Sequence, residues 1–316
     1  MRALVVGGAG FIGSHLCDAL LEEGHAVICM DNLSLGTRDN IAHLEENGNF
    51  YFYEADASKP EDVKKIFEDE QIDYVFHLAA NSDIQASAKN PEVEYRNTYT
   101  TTFQILLAMK KYNVKRLFFA STSAVYGDKQ DVLLVEDTPG LAPISYYGAA
   151  KLGSEALINA FAYMNDLKIL VFRFPNVIGP RLTHGVIFDF IHKLQKNPAH
   201  LQILGDGRQT KPYIYVTDLI NAIMQFKEKA ENGVAIYNVG VEGTTSVTAI
   251  ADIICEEMML SEVVYEYTGG AGGWKGDVPR FQYCIEKIHN AGWKAGYTSD
   301  EAVQETIRQN IGGKCV

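Results

Sequence analysis

The chain is short of positive charge. Its 28 lysines and arginines face 40 aspartates and glutamates, a formal net charge of −12 at pH 7. Gripping nucleic acid through its phosphates needs a basic surface, so no nucleic-acid partner is expected, and an anionic small substrate has to be met by local cations. Long apolar runs are also missing. Nothing approaches the ~18 consecutive apolar residues of a membrane-spanning helix, and no charged-then-apolar leader precedes the first glycines. Membrane association is therefore not expected. The five cysteines, Cys17, Cys29, Cys255, Cys284 and Cys315, have neither C-x-x-C nor zinc-type spacing. They read as isolated small hydrophobes in a reducing, cytoplasmic setting, with no metal site. Repeats and low-complexity tracts are absent too.

What is present is enough for a large core: 316 residues at 47% hydrophobic content allow one large domain or two smaller ones. The first sixteen residues organise the rest. Ala3 to Val6 is a short, uncharged apolar run suited to a strand buried on both faces. Gly8, Gly10 and Gly13 then fit G-x-G-x-x-G, while Gly7, Gly10 and Gly13 fit the looser G-x-x-G-x-x-G. From Ser14, apolar residues recur at helical spacing. Bare backbone between a strand and a helix lets a pyrophosphate approach the free N–H groups of the helix N-terminus. The next strand, Ala26 to Asp31, ends in an acid 18 residues after Gly13. An acid there accepts from the adenosine ribose of NAD and repels the 2′-phosphate of NADP.

Strands and helices alternate through the first half, predicting an α/β Rossmann-type, doubly wound parallel sheet of about seven strands with a smaller substrate domain. Further strands are expected at Phe50–Asp56, Tyr74–Ala80, Arg116–Thr122, Lys168–Phe174 and Ile236–Val239, with helices from about Glu61, Asn97 and Thr217. Asp56 reads equally as an adenine contact and as a helix N-cap. His77 reads first as a core residue and second as a catalyst. The boundaries are drawn at 1–175 with 214–241 for the dinucleotide domain, and at 176–213 with 242–316 for the substrate domain.

Tyr147 and Lys151 stand at i and i+4 on one helix face, after a strand ending in Ser121-Thr122-Ser123. A phenol of ordinary pKa about 10 is a poor base at neutral pH. A neighbouring ammonium and a positive nicotinamide ring favour the phenolate. A lowering of roughly 3 on the pH scale requires about 4 kcal/mol of differential interaction. Thr122 can share a hydrogen bond with the same substrate oxygen. The set points to proton abstraction from an alcohol coupled to hydride transfer.

Taken together, Gly7 to Gly13, Asp31, Thr122 with Val125-Tyr-Gly127, and Tyr147-x-x-x-Lys151 resemble the extended short-chain dehydrogenases/reductases. More narrowly the chain is similar to the NAD-dependent nucleotide-sugar 4-epimerases of the UDP-galactose (UDP-glucose) 4-epimerase group. That likeness includes Asn176-Val-Ile-Gly-Pro-Arg181, Leu204-Gly-Asp-Gly207 and Gly276-Asp-Val-Pro279. The resemblance implies NAD as cofactor, held by Gly7, Gly10, Phe11, Ile12 and Gly13 at the pyrophosphate. Asp31, Asn32, Leu33, Ser34 and Gly36 would hold the adenosine ribose, with Asp56 and Ala57 at the adenine. Leu78, Ala79, Ala80, Ser82, Asn97 and Pro175 would line the nicotinamide half. It implies Tyr147 as base, Lys151 as its electrostatic partner and ribose ligand, and Thr122 as hydroxyl helper. The nucleotide-sugar substrate would meet Ser82, Thr122, Ser123, Tyr147, Asn176, Val186, Lys211, Trp274 and Asp277. A homodimer through the helices after Asn97 and from Tyr147 is also implied.

The chain departs from the family pattern at two places. Lys211 and Trp274 stand where arginines are usual, and arginine is the better bidentate phosphate ligand. The related 4,6-dehydratases place Asp-Glu directly after the catalytic Thr; here Ser123 and Ala124 follow it. The leading reading is epimerisation of UDP-glucose and UDP-galactose through a 4-keto sugar. The alternatives are UDP-glucuronate or UDP-N-acetylglucosamine as substrate, a 4-dehydrogenase that stops half-way, and a non-catalytic Rossmann sensor. Phe281 reads either as a gate against an N-acetyl group or as packing.

Overall fold

The computed structural model describes residues 1–229 and 232–312; Cys315 lies outside them. It divides into two compact units. The first comprises Met1–Gly127, Gly140–Arg173 and Ile220–Tyr237, and the second Asp128–Pro139, Phe174–Leu219 and Asn238–Val316.

The first unit is built on seven strands: β1 (Arg2–Val6), β2 (Ala26–Asp31), β3 (Phe50–Glu54), β4 (Tyr74–His77), β5 (Arg116–Thr122), β6 (Lys168–Phe174) and β7 (Gly233–Asn238). Their order across the sheet is β3-β2-β1-β4-β5-β6-β7, and the pairs from β3 to β5 run parallel. Strand order therefore reverses between β1 and β4, the place where open α/β sheets bind ligands. Alternation sorts the side chains. Leu4, Val6, Ile28, Met30, Val75, Leu117, Phe119, Ile169 and Val171 share one face with Val63, Ile66, Ile105, Met109 and Ile158 from the helices. On the other face Phe76, Phe118, Phe172 and Phe226 form a run of edge and tilted ring contacts, with centroids 5.4–6.1 Å apart.

The helices that matter here are α1 (Phe11–Glu22), α2 (Pro60–Asp69), α3 (Pro91–Glu94), α4 (Thr101–Lys111) and α5 (Tyr146–Asn165). The helix expected from Asn97 begins earlier. Asn90 caps α3 by accepting from Glu92 N at 3.2 Å, and Tyr95–Thr100 continue as one π-helical stretch into α4. Proline at the first helical position set this start. Asp56 is not the N-cap of α2, which is Lys59; its carboxylate takes the N–H and hydroxyl of Ser58 at 2.9 and 2.7 Å.

The second unit uses short pairs of strands. Asn176–Ile178 lies parallel to Tyr213–Tyr215, His200–Ile203 to Val264–Tyr267, and Leu133–Leu134 to Gln282–Tyr283; Thr210–Lys211 is antiparallel to Thr245–Ser246. Its core gathers Ile187, Phe190, Ile191, Leu201, Ile250, Ile254, Val303 and Ile307. Cys17, Cys29 and Cys255 are buried and Cys284 is half-buried, all as free thiols.

Candidate active site

Below β1 the chain turns at Gly7, with φ +83°. A Cβ there would sit 2.8 Å from Ala79 N, and one on Gly13 would collide with Gly7 O. These glycines are therefore fixed by close backbone approach. Gly10 begins α1 without a side-chain cap, and no acid occupies the first turn. Asp31 closes the loop from the side: Oδ2 accepts from Ala9 N at 3.0 Å and Oδ1 from Leu33 N at 2.8 Å. Burial raises its carboxyl above the usual range, against those backbone bonds. Gly36 packs on Ala9, where a Cβ would be 2.8 Å from the carbonyl carbon. Asn32 and Ser34 are exposed, and Asn32 Oδ1 accepts from Ser34 N at 3.1 Å. Leu33, Phe11, Ile12, Leu78, Ala79 and Ala80 are half-buried, and Ala57 is buried. The backbone at Leu78 and Ala79 folds back onto Val6 O at 2.9 and 2.8 Å. A bare cradle at a helix N-terminus with an acid on the neighbouring strand fits a dinucleotide.

A second constellation lies at the end of β5. Ser145 caps α5, its hydroxyl accepting from Gly148 N at 3.1 Å. A Cβ on Gly148 would be 2.6 Å from Ala124 O, so glycine there lets the start of α5 lie against the turn that follows Thr122. Tyr147 is thereby hydrogen-bonded to the Thr122 hydroxyl. Lys151 is buried, donates to Ala120 O at 2.7 Å and sits 5.9 Å from the Tyr147 ring centroid. One turn on, Glu155 accepts from Ser121 Oγ at 2.5 Å and pairs with Arg173 of β6 at 2.6 Å. This network ties α5 to the sheet. Ser123, which opens the turn, is half-buried.

The electrostatics of the pair differ from expectation. Burial, then the nearby Glu94, push the Tyr147 phenol up rather than down; only the Thr122 hydrogen bond opposes them. Burial likewise pulls Lys151 down to about 7, against Glu94 and Glu155. Desolvation penalises either charged form, so any lowering of Tyr147 must come from beyond the chain's own groups. His77 is buried, bonded to Thr102 Oγ1 at 3.0 Å, and burial holds it down to about 3. It belongs to the core.

Two of the residues expected on the nicotinamide side are placed as follows. The Asn97 side chain accepts from Arg96 Nε at 3.3 Å, and the neighbouring Thr98 is the buried member of that turn. Ser82 is exposed. Glu94 was not legible in the sequence: Pro91-Glu-Val-Glu reads as an ordinary acidic helix start.

In the second unit Asn176 bonds the buried Tyr213 hydroxyl. Lys211 Nζ meets Asp277 Oδ1 at 2.5 Å and lies 5.3 Å from the Trp274 ring. Asp277 also accepts from Gly273 N at 3.0 Å. Trp274 Nε1 is buried with no partner among the described residues. Val186 opens the helix Val186–Lys196 and Pro175 is buried. Phe281 is buried with its ring edge-on to Tyr283, centroids 5.5 Å apart.

The model of the NAD dependent epimerase/dehydratase family matches residues 3–240. A putative UDP-glucose 4-epimerase of Methanocaldococcus jannaschii is 34% identical over 312 residues, covering 96% of each chain. Among solved structures, the UDP-glucose 4-epimerase of Thermotoga maritima with UDP-glucose superposes with a TM-score of 0.88 at 32% identity, over 99% of both chains. The UDP-glucuronic acid 4-epimerase of Bacillus cereus, solved with UDP-glucuronic acid and NAD, gives 0.86 at 28%, over 97% of this chain and 98% of that one.

Proposed function

The chain belongs to the NAD dependent epimerase/dehydratase family, and from that premise we propose that it is a nucleotide-sugar 4-epimerase whose first substrates are UDP-glucose and UDP-galactose. The observation that carries the reading is the half-buried Tyr147, hydrogen-bonded to Thr122 with Lys151 one turn below. Tyr147 takes the proton of the sugar 4-hydroxyl and returns it to that same oxygen after the 4-keto sugar has turned its opposite face to the cofactor. Thr122 orients that oxygen, and Lys151 supplies positive charge beside it. Gly7, Gly10, Gly13 and Asp31 hold NAD, which when bound supplies the acceptor and donor of the C4 hydride. Ser123 and Ala124 provide no acid for water elimination, which favours epimerisation over dehydration.

Residues 1–175 and 214–241 are assigned to NAD, and 176–213 with 242–316 to the nucleotide sugar. Asn176 would meet the substrate diphosphate, and Val186, Lys211, Trp274 and Asp277 would make further contacts to the nucleotide sugar. A neutral hexose is favoured over a uronic acid because a buried carboxylate needs a paired cation, and Thr183-His184 follow Arg181 without a further arginine. Exposed Phe103, Leu107, Tyr163 and Met164 on α4 and α5 support a homodimer, which sedimentation equilibrium tests. Among the described residues no helix is long and apolar enough to cross a membrane, and a cytoplasmic location is proposed.

The deciding assay supplies UDP-glucose, UDP-glucuronate and UDP-N-acetylglucosamine separately and compares kcat/KM. UDP-glucose should be fastest, with galactose product and no net NADH. Stoichiometric NADH would instead indicate a 4-dehydrogenase.

A further inference from the structure

Glu94, at the end of α3, is an acid without an evident purpose in the scheme above. It is 1% exposed. Asn81 Nδ2 donates to its Oε1 at 2.8 Å, and Thr98 Oγ1 donates to its Oε2 at 2.7 Å. Thr98 Oγ1 in turn accepts from Asn81 N at 3.2 Å, closing a ring of three residues. Both carboxyl oxygens act as acceptors, the role of the ionised form. These hydrogen-bond partners are neutral, and a buried carboxylate is costly unless charge elsewhere compensates it.

The charge closest in kind to a partner is on the neighbouring helix, where Glu94 acts on Lys151 through space rather than by a direct ion pair. α3 and the turn Tyr95–Thr100 pack against α5, which carries Tyr147 and Lys151. Their close approach depends on Gly153, where a Cβ would be 3.1 Å from Cε2 of Tyr99. The turn itself is π-helical, a form that concentrates at functional sites.

We propose that Glu94 is a positioning residue for the proton transfer: its negative charge favours the ammonium form of Lys151 and the neutral phenol form of Tyr147. This rests on the roles given to Tyr147 and Lys151 above. The other charged groups around the pair are accounted for. Glu155 on α5 is engaged by Arg173 of β6. His77 on β4 is held neutral by burial and by Lys151. Asp83 and Arg96 are exposed. Burial lowers Lys151, and Glu94 comes first among the groups raising it again; burial and then Glu94 raise Tyr147. One charge therefore pushes both proton affinities upward, and its removal lets both fall.

Glu94→Gln tests this, because an amide can still accept from Asn81 and donate to Thr98. In the holoenzyme, both limbs of the kcat/KM–pH profile should move to lower pH by about one pH unit. Glu94→Asp, which keeps the charge, should leave the limbs in place whatever it does to the rate. A second readout needs no turnover. Carbon-13 NMR of the Lys151 ε-methylene in dinucleotide-free protein, assigned through Lys151→Met, should give an ionisation midpoint near 7 in the wild type and about one pH unit lower in Glu94→Gln. Should that variant not fold, Thr98→Val, which removes one bond to the carboxylate, should move the midpoint the same way by less. Profiles and midpoints that superimpose on the wild type overturn the proposal. The NMR midpoint is independent of catalysis, so it still decides the point if the reading of Tyr147 as base fails.

Discussion

The two units hold their polar groups in different ways. In the first, buried ionisable side chains are pinned by regular elements. Lys151 and Glu155 lie one turn apart on a 20-residue helix, and Ala120, Ser121 and Arg173 hold them from adjacent strands. In the second, Lys211 lies in a two-residue strand and Asp277 follows a run containing Gly272, Gly273 and Gly276. Proton transfer demands placement within a fraction of an ångström, which sheet and helix supply. Recognition of a substrate tolerates adjustment, and loops provide it.

The contrast can be broken by mutation. The largest effect is expected at Tyr147: Tyr147→Phe should lower kcat by about 10²–10⁴-fold, with NAD binding and Tm unchanged. Retention of a third of the wild-type rate would rule out its role as base. Glu155→Gln should act on stability instead. It removes the carboxylate paired with the Arg173 guanidinium, which is 3% exposed, and should cost about 3–5 kcal/mol in urea unfolding.

A pH experiment probes the same interior. His77 is held down to about 3, below its ordinary 6.5. Between those values the unfolded chain binds the extra proton, so stability is lost as pH falls through that window. The slope is up to about 1.4 kcal/mol per pH unit. His77→Gln should flatten that slope between pH 6.5 and 5. If the wild type and variant run parallel, the histidine is not buried neutral.

Smaller effects should appear where ligands are recognised. Asp31→Ala should reduce the preference for NAD over NADP by about tenfold, measured by titrating both into stripped protein. Equal affinities in the wild type would remove the role given to Asp31. Lys211→Met should raise KM for UDP-glucose about tenfold, the loss of one charged hydrogen bond, with kcat nearly unchanged. A fall in kcat of the size expected for Tyr147→Phe would erase the distinction between the units.

The first unit was legible because its signals are local. β2, β5 and β6 fall at the residues their apolar runs mark, and Gly7 to Gly13, Asp31 and the Tyr147–Lys151 spacing are short-range patterns. These marked the sheet and the glycine turn after β1, and they put Tyr147 and Lys151 on one helix face. The strand pairing of Leu133–Leu134 with Gln282–Tyr283 was not legible, because neither dipeptide has periodicity and they meet only through the folded chain. The start of α3 at Pro91 and the burial of Thr98 were decided the same way. So were the proton affinities. Spacing brought Tyr147 and Lys151 to one face, but burial and the charge of Glu94 decide which of them is ionised. Desolvation depends on every group that closes over a site, and those groups come from distant parts of the sequence.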